Sequence, residues 1–239
     1  MIQKDTISNI EVYWSSLFDS TGWNDFDNIY NLYDELFKNI NKNDIEPRQN
    51  LLMCPSVSKK LKNTFFVKTP IDCEYEIKDG KIKPVTDKHI DVETPHLPSL
   101  KNNFLFVLGM FYIFFSKESV KMNLTSPFFS KCDYTQYAHI VPGNLDISKW
   151  FRMINLEFNC YDNKIKFTKG EPLAYFTFDT DKQVKLKRFK MTQKLHTLSA
   201  TCFTSSNWEK WVPLYNRYKR FLKSRTDKIV LREIQKNLL

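Results

Sequence analysis

The sequence predicts a mainly β protein with flanking helices, an α+β chain whose core of short strands forms a sandwich or barrel-like unit. Three observations predict it. Between residues 100 and 190 the apolar residues come in short extended runs separated by turn formers. Near the N-terminus one stretch carries apolar residues at helical spacing, and residues 205–239 do so again.

Taken in order, "WNDFDNIYNLYDELFKNINK" places Phe26, Ile29, Tyr30, Leu32, Tyr33, Leu36, Phe37 and Ile40 on one helical face, with Asn24 or Asp25 available as the cap. An N-terminal amphipathic helix is expected there. "NTFFVKTPIDCEYEIKDGKIKPV" alternates β-formers with polar residues on either side of Asp79-Gly80, a pair suited to positive φ, which predicts a hairpin. The most apolar run, "FLFVLGMFYIFF", covers residues 104–115, whereas a membrane-spanning helix needs roughly twenty residues. It reads as a core segment. Further strands are expected near 119–125, 138–141, 152–159, 164–168 and 172–178, punctuated by Pro127, Pro142-Gly143 and Lys169-Gly170. "KQVKLKRFK" at 182–190 sets Val184, Leu186 and Phe189 apart from several cations, as a solvated strand edge guarded by lysines would. At the end, Ser206 and Glu209 have capping-box spacing ahead of Trp211, Leu214, Tyr215, Tyr218, Phe221 and Leu222, and Pro213 fits only near a helix start. One or two closing helices follow. The expected organisation is therefore a helical segment over 1–50, a β-rich core over 51–190 and a basic helical extension over 191–239, packed as one compact unit.

The totals limit the classes of function. A chain of 239 residues with 42% hydrophobic and 15% aromatic residues, 20 of them Phe and 11 Tyr, can bury an aromatic core and is not a disordered chain. The excess of Lys, Asn, Ile and Phe is what AT-rich coding DNA produces, which weakens any argument from lysine counts alone. Five cysteines, at 54, 73, 132, 160 and 202, form no CxxC pair, so the sequence points to neither a disulfide framework nor a zinc ribbon. Reduced, mostly buried thiols in a cytoplasmic setting are expected. The opening residues carry polar and acidic groups where a signal peptide needs a basic start and an apolar run. Charge is uneven: residues 1–45 hold eight acids against three lysines, and residues 182–239 hold fifteen Lys and Arg against three acids. The basic third admits nucleic-acid binding as one reading, with a solvated face as the other.

Catalytic spacings are few. His89 and His96 are seven apart and His139 and His196 are isolated, so no HxH or HExxH metal-ligand pattern exists. Cys132 lies seven residues before His139, a spacing as compatible with opposite ends of a loop as with a nucleophile and its base.

"VPGNLD" at 141–146 and "KGEPLAYFTF" at 169–178, with Gly170 lying 24 residues after Asp146, resemble the third and fourth motifs of the dUTPase and dCTP deaminase superfamily. The resemblance implies a β-clip core in which Gly143 takes the first turn, Asp146 the position of the family's Asp, residues 155–167 a strand and hairpin, and residues 170–174 the final turn. "MFYIFFSKESVKMNLTSPFF" is similar to the preceding hairpin and puts Ser126-Pro127 near the family's phosphate-binding segment. The chain also resembles a group of tailed-phage and bacterial proteins over residues 50–185, through Cys54-Pro55, a strand at Pro70-Ile71-Asp72, the 104–115 run, and the segments 142–146, 150–158 and 169–174. That group carries no established activity.

Departures from the enzymes bear on function. Phe128 and Phe129 stand where phosphate donors belong, and the terminal segment is a Trp- and Lys-rich helix with no Gly-rich arm. The resemblance thus implies a phage-type binding or assembly protein, host-cytoplasmic or virion-associated, on a degenerate core, working as a homo-oligomer, in the family's case a trimer, or with a phage or host partner. The alternative is a nucleotide-binding or nucleotide-hydrolysing protein with Asp146 as general base; Mg²⁺ enters only there, and otherwise no cofactor or metal is expected. The candidate ligand-binding residues are Ser126, Asp146, Arg152, Lys169 and Glu171.

Overall fold

The structure, a computed structural model, describes residues 8–16, 28–38, 54–94, 103–203 and 214–239. The chain opens with β1 (Asn9–Ser16), β2 (Tyr30–Asn31), α1 (Leu32–Lys38), α2 (Pro55–Lys62) and β3 (Thr64–Lys68). Then come β4 (Cys73–Lys78), β5 (Lys81–Pro84), β6 (Val92–Glu93), β7 (Phe104–Phe115) and β8 (Lys121–Thr125). After a 3-10 turn at Asp133–Gln136 follow β9 (Ala138–Ile140), β10 (Gly143–Asp146), β11 (Met153–Cys160), β12 (Lys164–Phe167), β13 (Pro172–Asp179) and β14 (Gln183–Arg188). Three helices close the chain: α3 (Gln193–Phe203), α4 (Leu214–Lys223) and α5 (Thr226–Lys236). The protein is mainly β with flanking helices, as the sequence predicts.

Two sheets face each other. One runs β14-β1-β7-β11-β9 with β6 added beside β7, and the other runs β10-β8-β13-β3-β2; β12-β4-β5 form a third, smaller sheet. β1 and β14 pair in parallel, and every other pairing is antiparallel. The period of two explains the packing. In β7, Phe106, Leu108, Met110, Tyr112 and Phe114 enter the central core, while Ile113 and Phe115 join Phe221, Val230 and Ile234 beneath the C-terminal helices. Both faces of that end of β7 are covered, which is why the run is apolar without alternation. In β13, Ala174, Phe176 and Phe178 point into the same core, while Tyr175 packs outward with Phe66, Leu32 and Leu61 under α1 and α2. The aromatic share of the composition thus lines a core whose rings meet edge-on and stacked, as at Phe106–Phe158 (5.0 Å between centroids) and Tyr134–Phe158 (5.5 Å).

The Asp79-Gly80 hairpin forms between β4 and β5, with φ of 53° and 68° at the two turn residues. β14 is an edge strand that buries Val184 and exposes Lys185, and the last residues bridge to its end, Leu238 opposite Phe189. Four cysteines are buried, Cys54 is exposed, and all five are free thiols.

Several local expectations differ. Residues 9–16, inside the expected helical segment, form a buried strand because Ile10, Val12 and Trp14 alternate with side chains on the opposite face. Among the described residues the amphipathic helix is the seven of α1, since Tyr30 and Asn31 pair with Phe66 and Phe65; its cap is Asn31, whose Oδ1 accepts the N–H of Asp34 at 3.1 Å, and Phe26 and Ile40 lie outside the described residues. Asn24, Asp25, Ser206, Glu209 and Pro213 lie outside the described residues. Pro70-Ile71-Asp72 is a bend between β3 and β4, not a strand. α2 was not anticipated, although Pro55 at its first turn and Val57 and Leu61 four apart are a legible start and face. Neither of the two hairpins that the resemblance implies exists as such: β7 and β8 belong to different sheets, and so do β11 and β12. Each pair is joined by a turn that carries the chain into another sheet instead of back along its neighbour.

One residue holds the layers in register. Asn63, buried at the end of α2, donates from Nδ2 to the carbonyls of Thr180 and Lys182 (3.1 and 2.8 Å) and accepts from the N–H of Val184 at Oδ1 (3.0 Å). Every hydrogen-bonding atom of that amide side chain ties the β13–β14 connection to α2.

Candidate functional site

β9 ends at Ile140 and the chain crosses through Val141-Pro142 into the other sheet, where Gly143 already pairs with Leu124. Gly143 is a strand residue without positive φ, so it does not make the turn expected of it; the hydrogen-bonded turn of this stretch lies after β10, where Lys149 N–H meets the Asp146 carbonyl. From β10 the chain turns through Asp146–Lys149, buries Trp150 and Phe151 against the C-terminal layer, and enters β11. A register shift between Met153 and Asn155 bends β11 just there. The crossing, the bent strand and α4 enclose a cavity of about 240 Å³ lined by Pro142, Gly143, Trp150, Arg152, Glu157 and Tyr218, among others.

Its polar focus is Arg152. The guanidinium lies 4.8 Å from the Trp150 ring centroid, and Trp150 in turn lies 4.1 Å from Tyr218. Burial lowers the Arg152 pKa from its ordinary value, with Tyr218 working in the opposite sense, and an arginine so shifted remains a cation. Burial also raises the Tyr218 phenol, on which Arg152 and Asp146 act with opposite signs. A cation held against an indole wall in a partly desolvated hollow is suited to a flat, anionic ligand.

Asp146 does something else. Its Oδ1 accepts the N–H and Oγ–H of Ser148 (3.2 and 2.6 Å), and its Oδ2 accepts from Ser119 Oγ (3.2 Å) and Lys149 Nζ. Burial works to raise its pKa, but the bonds from Lys149 and Ser148 outweigh it and hold the carboxyl below the usual range. This is an aspartate closing a turn. The Lys149 ammonium pairs with its Oδ2; among the described residues no group of three His, Cys, Asp or Glu is placed to hold a metal.

The other candidates lie elsewhere. Glu171 accepts the backbone N–H of Asp133 at 2.7 Å, next to Gly170, whose φ of 87° makes the second turn as expected. Lys169 is exposed, and its backbone N–H donates to Asp72 at 2.8 Å. Ser126 accepts the N–H of Ile140 at 2.8 Å, which fixes the loop after β8 to β9. Of the five, Asp146 and Arg152 share one neighbourhood, while Lys169 and Glu171 belong to the Gly170 corner. Cys132 and His139 are not a dyad: the thiol is buried, its pKa pushed up to about 12 by desolvation, while the imidazole is exposed beside Tyr161.

Two further hollows escaped the sequence. Spaces of about 490 and 360 Å³ flank α2 and share Lys59, Asn63 and Asp181, with the Lys59–Asp181 ion pair between them. Their residues come from α1, α2, β13 and β14, far apart in sequence, so no local pattern announces them.

No protein-family model matches the chain, and no curated protein sequence matches it. Among the described residues no helix is long and apolar enough to cross a membrane.

Proposed function

We propose that this is a binding or assembly protein without a catalytic centre, of the phage type implied by the motif resemblance, its sheets a degenerate β-clip-like core and its working form a homo-oligomer. The observation that carries the reading is the state of Asp146: both oxygens are held by serine and lysine donors of its own corner, so no lone pair is poised toward a substrate water. Phe128 and Phe129 support it too. They stand adjacent and exposed, in ring contact with each other, and Phe128 also meets the Tyr175 ring, where the resembling enzymes carry phosphate donors. An apolar pair at that place suits contact with protein.

The Trp150–Arg152 cavity favours a second reading, nucleotide binding without hydrolysis, because it offers both a stacking wall and a cation. One experiment addresses both. Thermal-shift measurements with nucleoside mono-, di- and triphosphates, with and without Mg²⁺, are run beside light scattering. The first reading expects no nucleotide-dependent shift and a mass that is a multiple of 28.5 kDa. A shift of several degrees that Arg152→Gln abolishes establishes the second. Phosphate release that Asp146→Asn eliminates overturns the first.

A further inference from the structure

We propose that the outward face of α4 and α5 is a nucleic-acid-binding surface that contacts the phosphate backbone. Over residues 214–239 the exposed charged side chains are Lys219, Arg220, Lys223, Arg225, Lys228, Arg232 and Lys236, seven cations and no acid. The two carboxylates of the pair, Asp227 and Glu233, are partly buried, and Glu233 is bonded to Lys194 of α3. No ion pair among the described residues engages Lys219, Lys223, Arg225, Lys228 or Arg232. The β4–β5 hairpin differs: its exposed lysines 78, 81, 83 and 88 alternate with exposed Glu76, Asp79 and Asp87.

Base composition does not explain the face. Arginine is scarce in this chain, and four of its seven residues fall here, Arg217 and Arg220 in α4, Arg232 in α5 and Arg225 in the turn between them. Two helices of 10 and 11 residues present the cations along rods of about 15 Å each, a length that meets several successive phosphates. Tyr215, 65% exposed with the Lys219 ammonium 4.4 Å from its ring centroid, adds a stacking surface beside a phosphate contact. An anionic membrane fits less well, because the apolar sides of both helices, at Phe221, Val230 and Ile234, are already buried in the protein.

The test is fluorescence anisotropy with mixed-sequence labelled oligonucleotides, single-stranded and duplex, over a salt series, alongside flotation with phosphatidylserine vesicles. Binding is expected to weaken steeply with salt, and the variant K219Q/K223Q/R225Q/K228Q/R232Q to bind about tenfold or more weakly. Its log–log salt slope is expected to fall by about 0.7–0.9 for each cation that meets a phosphate. A control, K60Q/K78Q/K81Q/K83Q/K88Q, removes the same charge from exposed positions elsewhere and is expected to bind as the parent does; circular dichroism and thermal melting check that both variants fold. The proposal is overturned by absence of binding to either oligonucleotide at 50 mM salt, by an equal loss in the control, or by vesicle binding without oligonucleotide binding.

Discussion

Two corners of the β unit, one at Pro142–Lys149 and one at Thr168–Glu171, carry the two glycines singled out by the sequence, and they are built in opposite ways. The second is knitted from three segments far apart in sequence, residues 69–72, 133 and 168–171. Gly170 donates to Thr69, Lys169 to Asp72, Glu171 accepts from Asp133, and Asp133 accepts from the Thr168 hydroxyl at 2.6 Å. The first centres on one side chain: Asp146 gathers Ser148 and Lys149 from its own turn and Ser119 from the loop before β8, and the glycine before it is an ordinary strand residue. A knitted corner constrains backbone and hydroxyls alike. The other depends on a single carboxylate. The likeness of motifs therefore conceals a difference in what each residue does.

The largest effect is expected where the knitted corner meets the core. Between Pro172 and Ala174 the pairing of β13 with β3 shifts, and the Leu173 carbonyl is taken by the buried Tyr134 hydroxyl at 2.8 Å. Tyr134→Phe leaves that carbonyl orphaned and is expected to cost about 2 kcal/mol in urea unfolding. A cost below about 0.5 kcal/mol would break the contrast, since the distant ties of this corner would then be dispensable. Next is Gly170→Ala. No atom lies within 4 Å of the added methyl, so the whole penalty is the left-handed backbone at φ 87°, about 1–2 kcal/mol.

Asp146→Asn sharpens the comparison through pH. The folded carboxyl titrates below its usual range, so its contribution is present above the unfolded value, near 3.9, and is lost as pH falls through the folded value. The parent is expected to lose stability below about pH 4 more steeply than Asp146→Asn, which costs about 1 kcal/mol at neutral pH because the side chain is partly screened. Coincident acid limbs in the two proteins would show that this turn does not depend on the carboxylate charge.

The same contrast governs what could be read from the sequence. Strands with a period of two, the Asp79-Gly80 hairpin and the Gly170 turn are local signals, and the chain carries them legibly. β1 is not legible because it is laid between partners from residues 112–115 and 183–188, with six of its eight residues buried, so the pairing that makes it a strand is entirely non-local. The hairpins expected at β7–β8 and β11–β12 failed for a related reason. Sequence shows that two extended runs follow one another but not whether the turn between them folds back or crosses to a facing sheet. At the candidate site, Arg152 was identified as a pocket residue, but the indole–phenol wall of Trp150 and Tyr218 joins positions 68 apart. Asn63 had no signal at all, because one amide serving residues 180, 182 and 184 looks like any surface asparagine.

The smallest effect is the most discriminating. A methyl added at Gly143 meets Leu124 Cδ1 at 3.6 Å, an ordinary contact, and the backbone there needs no left-handed conformation. Replacing a strand glycine at such a site reduces the freedom of the unfolded chain, so Gly143→Ala is expected to be neutral or to stabilise by up to about 0.5 kcal/mol. The comparison then becomes a pair of identical substitutions with opposite signs, read on one denaturation series. Equal losses at Gly143 and Gly170 would mean that both glycines serve as turns, against the strand pairing of Gly143 with Leu124.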